Sequence, residues 1–327
     1  MYNYSDIQEV HLEVTSKCQA RCPMCPRRPG GGPINPYITL EEITLEQFKE
    51  WFDIGFIKQL SKLFMCGNLG DPIIAKDTLE IFEYIRTHNP NMLLHMHTNG
   101  SARSLEWWKS LAKLNVVVVF GIDGLVDTHS LYRVSTNWQT IIDNATAFIG
   151  AGGDARWDML IFQHNMHQVD ECRELSNQLG FKDFKAKNTS RFRGDYMPVI
   201  DEEGRTTHVL YPTEKSEAML PKINKTKQEV LPTITCKAKQ SNQLYVSATG
   251  NVTPCCWLDN EWDEPFNLTR IDYKDKIRVY PNLKKTKLEE IFDSGYFNKI
   301  ANCWTTTGLR ECGKQCGSFD KLNEQFK

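Results

Sequence analysis

Strand-like and helix-like stretches alternate six times along the first part of this chain. The strand-like stretches are residues 7–14, 62–66, 93–97, 115–120, 157–162 and 184–187, short and rich in β-branched or apolar residues. Between them the apolar period is helical. Thr39-Leu40-Glu41-Glu42 has the form of a capping box, with a helix expected on to Asp53. Asp77 is the expected cap of a helix ending near His88. Residues 105–114, 138–149 and 169–179 complete the series, the last two stopped by Gly150 and Gly180. Such alternation predicts parallel strands joined by right-handed crossovers. Six units make a partial (β/α)6 TIM-like barrel, an α/β fold whose ligands sit at the carboxyl ends of the strands.

Three cysteines follow the first strand. Cys18, Cys22 and Cys25 have the spacing C-x-x-x-C-x-x-C. Three thiolates on one loop hold three irons of a 4Fe–4S cube and leave the fourth iron open for a substrate or cosubstrate. A four-cysteine cluster mostly shuttles electrons. A structural zinc needs four ligands, and the next histidine downstream is His88. A disulfide framework belongs to an oxidising compartment, whereas residues 1–6 have neither a basic nor an apolar signal region. The expected location is the cytoplasm. The longest apolar run, residues 116–120, is far short of a membrane span. A formal net charge of −2 provides no global basic field for nucleic acid.

The loop is similar to the signature of the radical S-adenosylmethionine (SAM) superfamily, in which the open iron chelates the amino and carboxylate groups of SAM. Before the third cysteine that family often has an aromatic residue. This chain has Met24, whose flexible thioether suits packing beside an adenine. The resemblance extends to the ends of later strands. Gly67, Asn68, Gly70 and Asp71, within Gly67-Asn68-Leu69-Gly70-Asp71-Pro72, stand where the family places its glycine-rich stretch, often Gly-Gly-Glu-Pro. Thr98-Asn99-Gly100 resembles the Thr-Asn-Gly after the third strand. Asp123, after the fourth, is a candidate proton acceptor or ribose-hydroxyl acceptor, with a helix cap or turn as the bland alternative. Gln163, His164 and Asn165 close the fifth strand and are candidates for the SAM ribose or carboxylate. Arg133 and Arg191 are further candidates for the carboxylate, which an arginine fork fits.

Residues 1–195 are therefore expected to form the barrel, 196–232 a connection partly ordered over its mouth, and 233–327 a small second domain. That domain begins with Cys236 and a β-hairpin, residues 243–248 and on to 257 around Thr249-Gly250-Asn251. The spacing C-x13-G-x4-C resembles the opening of SPASM and twitch extensions, which bind auxiliary 4Fe–4S clusters. Only six cysteines follow residue 230, and no C-x-x-C pair is among them, so a twitch-like domain with one cluster is expected. Two ligands from the hairpin and two from the tail give Cys236, Cys255, Cys312 and Cys316. Cys256 would face away from Cys255 if the strand continued, and it and Cys303 are reserves. A structural zinc in the same thiolates is the alternative. Cys66 and Cys172 read as buried small hydrophobes.

The resemblance implies an oxidoreductase-type radical SAM enzyme. A flavodoxin- or ferredoxin-type donor reduces the first cluster, SAM is cleaved to a 5′-deoxyadenosyl radical, and the radical takes hydrogen from a small molecule such as a sugar, nucleotide or amino-acid derivative. The auxiliary cluster then accepts an electron or anchors substrate, with Asp123 as base. Alternatives are a peptide maturase, an RNA-modifying enzyme, and a non-catalytic electron carrier or zinc-stabilised binding module. The lysines of 215–239 and 274–287 are interspersed with acids and read as solvated faces, so neither nucleic acid nor membrane is an expected partner.

Overall fold

Strand β1 (Glu9–Leu12) lies inside an eight-stranded sheet. The structure, a computed structural model, describes residues 1–218, 233–259, 280–306 and 309–318. Helices α1 (Leu45–Trp51) and α2 (Ile54–Gln59) lead to β2 (Lys62–Met65), and α3 (Thr78–His88) leads to β3 (Leu93–Thr98). Then come α4 (Leu105–Ala112), β4 (Val116–Gly121), α5 (His129–Tyr132), α6 (Trp138–Gly150), β5 (Asp154–Ile161), α7 (Val169–Leu179) and β6 (Asp183–Asn188). Strands β1 to β6 pair in sequence order and all run parallel. The expected α/β architecture with six parallel strands is present.

Two helix boundaries differ from expectation. The residues 39–42 do not cap a helix, because the turn after β1 claims them. Ser16 Oγ donates to the Thr39 carbonyl at 2.7 Å, and the Ser16 N–H donates to the Glu41 carbonyl at 3.0 Å. The capping box is instead Thr44 with Gln47. The helix expected to reach residue 53 breaks in two because Asp53 starts a new one, accepting from the Phe56 N–H at 2.8 Å.

Side chains alternate across the sheet. Leu12, Leu63, Met65, Leu94, Met96, Val118 and Trp157 point toward the helices and form one core. Each such side chain removed from water stabilises the fold by about 2 kcal/mol. The opposite, concave face carries His11, Phe64 and His95 side by side in register, with His97 one step further along β3.

Beyond β6 come a hairpin of β7 (Met197–Ile200) and β8 (Thr206–Leu210), then α8 (Glu214–Ala218). These elements span residues 197–218 of the expected connection. Residues 219–232 lie outside the described residues, as do 260–279 and 319–327 of the expected second domain and the lysines among them. The second region contains β9 (Thr233–Ile234), α9 (Lys237–Gln240), β10 (Gln243–Val246), β11 (Val252–Thr253), α10 (Leu288–Asp293), α11 (Tyr296–Cys303), α12 (Arg310–Cys316) and β12 (Gly317–Ser318). The expected hairpin exists as β10 and β11, but it joins the barrel sheet. Strand β10 runs parallel to β1, Val10 beside Leu244. After Thr253 the strand ends, and Cys256–Leu258 form a 3-10 turn. No helix among the described residues is long and apolar enough to cross a membrane.

Candidate active site

The cysteine loop leaves the carboxyl end of β1 and is held from two sides. Arg21 donates through Nε to the Gly31 carbonyl at 2.8 Å and through Nη2 to the Ile200 carbonyl of β7 at 3.3 Å. Gly31 has φ +86, and a Cβ there would lie 2.9 Å from the Arg21 carbonyl oxygen, so the Gly30-Gly31-Gly32 turn packs directly under the loop. Cys22 is buried, while Cys18 and Cys25 are half-buried. Burial pushes the thiols of Cys18 and Cys22 up, and each feels a neighbouring cysteine of the triad. A buried thiol gives up its proton readily only when a metal takes its place. Three clustered thiols of this kind fit an iron–sulfur cluster.

The strand-end motifs form a knot around this loop. Asp71, fully enclosed, accepts at Oδ1 from Thr98 Oγ1 at 2.8 Å and from the Ile73 N–H at 3.2 Å. Its Oδ2 accepts from both the N–H and Nδ2 of Asn99 at 2.7 Å. Asn99 in turn points Nδ2 at Cys18 Sγ, 3.6 Å away, and accepts from Gln19 Nε2 at 2.7 Å. Gly70 packs on the backbone before Cys18, and Asn68 Nδ2 donates to the Cys256 carbonyl at 3.0 Å. Gly67 closes on Gly70, since a Cβ at Gly67 would lie 2.1 Å from the Gly70 carbonyl oxygen. Asn99 and Gly70 carry this knot to Cys18, and both carboxylate oxygens of Asp71 are taken up by Thr98, Asn99 and Ile73.

Sequence reasoning missed Glu13, which is 2% exposed just after β1. Its Oε1 accepts from the N–H groups of Leu69 at 2.6 Å and Gly70 at 3.0 Å, and Oε2 accepts from Tyr245 of β10. Burial pushes its carboxyl up, and these hydrogen bonds pull it back. The available signal was an acid at a strand end, beside the cysteine loop.

Asp123 lies after β4 and is 0% exposed. Arg133 Nε donates to Oδ2 at 2.5 Å, and the Leu160 N–H donates to Oδ1 at 2.5 Å. The Asp123 N–H donates to Nδ1 of His129 at 3.1 Å. Burial and the Arg133 charge pull His129 down to about 3, so its ring is neutral and Nδ1 accepts. Arg133 also directs Nη1 at Cys22 Sγ, 3.9 Å away. Asp123→Asn keeps an acceptor for Leu160 and strips Arg133 of its counter-charge. It is expected to cost about 2 kcal/mol in denaturant unfolding, and wild-type stability would show that the pair holds nothing.

The other candidates separate. Asn165 is buried and closes its own loop, donating to the carbonyls of Asp123 at 3.1 Å and Leu160 at 2.9 Å. His164 stacks on Phe162 with both ring nitrogens buried and without a hydrogen-bond partner. Gln163 and Arg191 are exposed. Met24 is buried beside Cys22, Tyr132 and Phe162.

The second cysteine set surrounds a cavity of about 290 Å³. Cys236, Cys255, Cys312 and Cys316 line it together, and so does Cys256. Cys255 and Cys256 therefore do not divide between two faces, because the strand that would separate them ends at Thr253. Cys303 is not part of the lining. Burial pushes Cys255 and Cys312 to about 12, and Cys236, Cys255 and Cys312 each feel at least one other thiol of the set. This donor set, too, fits a metal cluster. His11 and Phe64 complete the wall, so the cavity adjoins the concave face of the sheet. Cys172 is a buried core residue, as expected. Cys66 is not: half-buried past the end of β2, it lies beside Glu13 and Asp71, with burial pushing it to about 12.

Comparison with known proteins bears on both sites. A family model for the radical SAM superfamily matches residues 12–175, half of the chain. A model for the SPASM iron–sulfur cluster-binding domain matches residues 236–317. The FeMo cofactor biosynthesis protein NifB of Methanocaldococcus jannaschii is 25% identical over 135 residues. The match covers 40% of this chain and 44% of that protein, so the chain spans less than half of that relative's length. Streptococcus suis SuiB bound to S-adenosylmethionine superposes with a TM-score of 0.59 at 12% identity, over 90% of this chain and 67% of that one. The protein anSMEcpe with bound AdoMet gives 0.59 at 14% identity, over 90% and 79%. At such identities the likeness is one of fold.

Proposed function

This chain belongs to the radical SAM superfamily and carries a C-terminal SPASM domain, and from that premise we propose that it oxidises a polar small molecule held against the concave face of its sheet. The 4Fe–4S cluster and SAM, when bound, supply a 5′-deoxyadenosyl radical that takes a hydrogen atom from the substrate. Cys18, Cys22 and Cys25 are the proposed ligands of that cluster, and Cys236, Cys255, Cys312 and Cys316 those of the auxiliary one.

The observation that carries the reading is the shared wall. His11 and Phe64 belong to the concave face and also line the second thiol cavity. A substrate on that face would lie within reach of an auxiliary electron acceptor. The face is polar. Among the described residues the side chains of His95 and His97 make no hydrogen bond. Burial pulls both down, His95 to about 4, so they present neutral imidazoles able to donate or accept a hydrogen bond. Asp123, with both oxygens engaged, takes the role of positioning Arg133 rather than that of base. Met24, His164, Gln163 and the knot of Asn68, Asp71, Thr98 and Asn99 shape the SAM side. Eleven cysteines, seven of them proposed cluster ligands, suit the reducing cytoplasm, with a flavodoxin- or ferredoxin-type donor.

Anaerobic reconstitution of the full chain tests this. Expected are roughly eight irons per chain and dithionite-dependent 5′-deoxyadenosine, stimulated by the ultrafiltered small-molecule fraction of a cell extract. Stimulation by the peptide fraction alone would overturn the substrate class. Zinc without iron would overturn the enzyme reading.

A further inference from the structure

Arg27 is 2% exposed, two residues beyond Cys25. Its Nη2 donates to the carbonyl of Ala20, midway along the loop between Cys18 and Cys22. Its Nε is buried with no partner, and it makes no ion pair among the described residues. Of the other guanidiniums at the loop, Arg21 is only half-buried and donates to the Gly31 and Ile200 carbonyls, Arg28 pairs with Glu202 at 3.1 Å, and Arg133 differs in one respect. It approaches Cys22 Sγ at 3.9 Å but is neutralised by Asp123 at 2.5 Å. Arg27 therefore leaves one uncompensated positive charge buried against the triad. A buried charge without a counter-ion is costly, and the thiolates that a cluster would bring are anions on the same loop.

We propose that Arg27 is the fixed counter-charge of the N-terminal cluster and favours its reduced state. The inference rests on the radical SAM reading above. Reduction adds one electron from the flavodoxin- or ferredoxin-type donor to the cluster; no bond breaks and no proton moves. The added negative charge is stabilised by a guanidinium held in a water-poor environment, where screening is weak. Arg27 acts through the cluster and is a positioning residue.

The test compares the reconstituted full-length wild type with Arg27→Gln and Arg27→Lys. The electron paramagnetic resonance signal of the SAM-responsive cluster is followed against solution potential. In Arg27→Gln the ratio of reduced to oxidised cluster at a given potential is expected to fall about tenfold, or about 59 mV for a one-electron couple. Arg27→Lys keeps the charge and is expected to stay within about twofold of wild type. A glutamine variant that matches wild type, or a lysine variant that falls as far as glutamine, overturns the inference. If Arg27→Gln loads no cluster, Asp123→Asn supplies the second arm. It unmasks Arg133 beside Cys22 and must raise the reduced fraction, and no rise overturns the role of local charge. A wild-type chain without iron on the N-terminal triad fails earlier, at the iron assay, and overturns the radical SAM reading and this inference together.

Discussion

Cys22→Ala is expected to reduce 5′-deoxyadenosine formation at least about a thousandfold and to lower the iron content from roughly eight to roughly four per chain. Cys22 is the buried member of the triad, between Cys18 and Cys25 in the loop and facing Arg133. Two thiolates do not hold a cube that already lacks one protein ligand. The second thiol set lies in a separate cavity, walled by His11, Phe64 and the C-terminal helices, and keeps its iron. Iron analysis and product chromatography on the same sample read both effects. Full iron with unchanged SAM cleavage would remove the triad from the chemistry.

Gly70→Ala is expected to destabilise the protein by at least about 4 kcal/mol and to prevent loading of the first cluster. A Cβ at Gly70 would lie 1.8 Å from the Thr15 carbonyl oxygen and 3.0 Å from that of Lys17. Both are backbone atoms immediately before Cys18, so no side-chain rotation relieves the clash. The Gly70 N–H is also anchored by Glu13 at 3.0 Å, which keeps the loop from backing away. Gly150→Ala is the control. Nothing lies within 4 Å of a Cβ there, and alanine near the end of α6 should be neutral or stabilising by up to about 1 kcal/mol. Denaturant melts of the two variants decide the matter, and a Gly70→Ala protein within about 1 kcal/mol of wild type would show that the packing is looser than drawn.

The barrel was legible because its signals are local. Strand periods and glycine stops mark residues such as Val116–Gly121 and Trp138–Gly150, and a motif at a strand end needs no knowledge of its neighbours. What stayed hidden depends on distant partners. The residues Gln243–Val246 read as one arm of a hairpin, yet nothing in their pattern names β1 as the other neighbour. Ser16 removed residues 39–42 from helix capping through a contact that only the folded loop creates. Glu13 and Arg27 are charged side chains that composition assigns to the surface. Their burial follows from the loop N–H groups and carbonyls that surround them. The same holds for Asp123, read from its motif as a proton or ribose-hydroxyl acceptor or a turn residue, whose surroundings engage both oxygens.

The parallel docking of β10 on β1 makes the two ends of the chain interdependent. Without β10, β1 would be an open edge, its row of N–H and C=O groups free to template another polypeptide. During synthesis that condition persists until most of the chain has emerged, because β10 lies beyond all six barrel strands. Closing so long a loop is slow relative to local helix formation. A truncation that preserves every residue of the first thiol triad but ends before Gln243 would therefore yield an aggregation-prone barrel rather than a minimal enzyme.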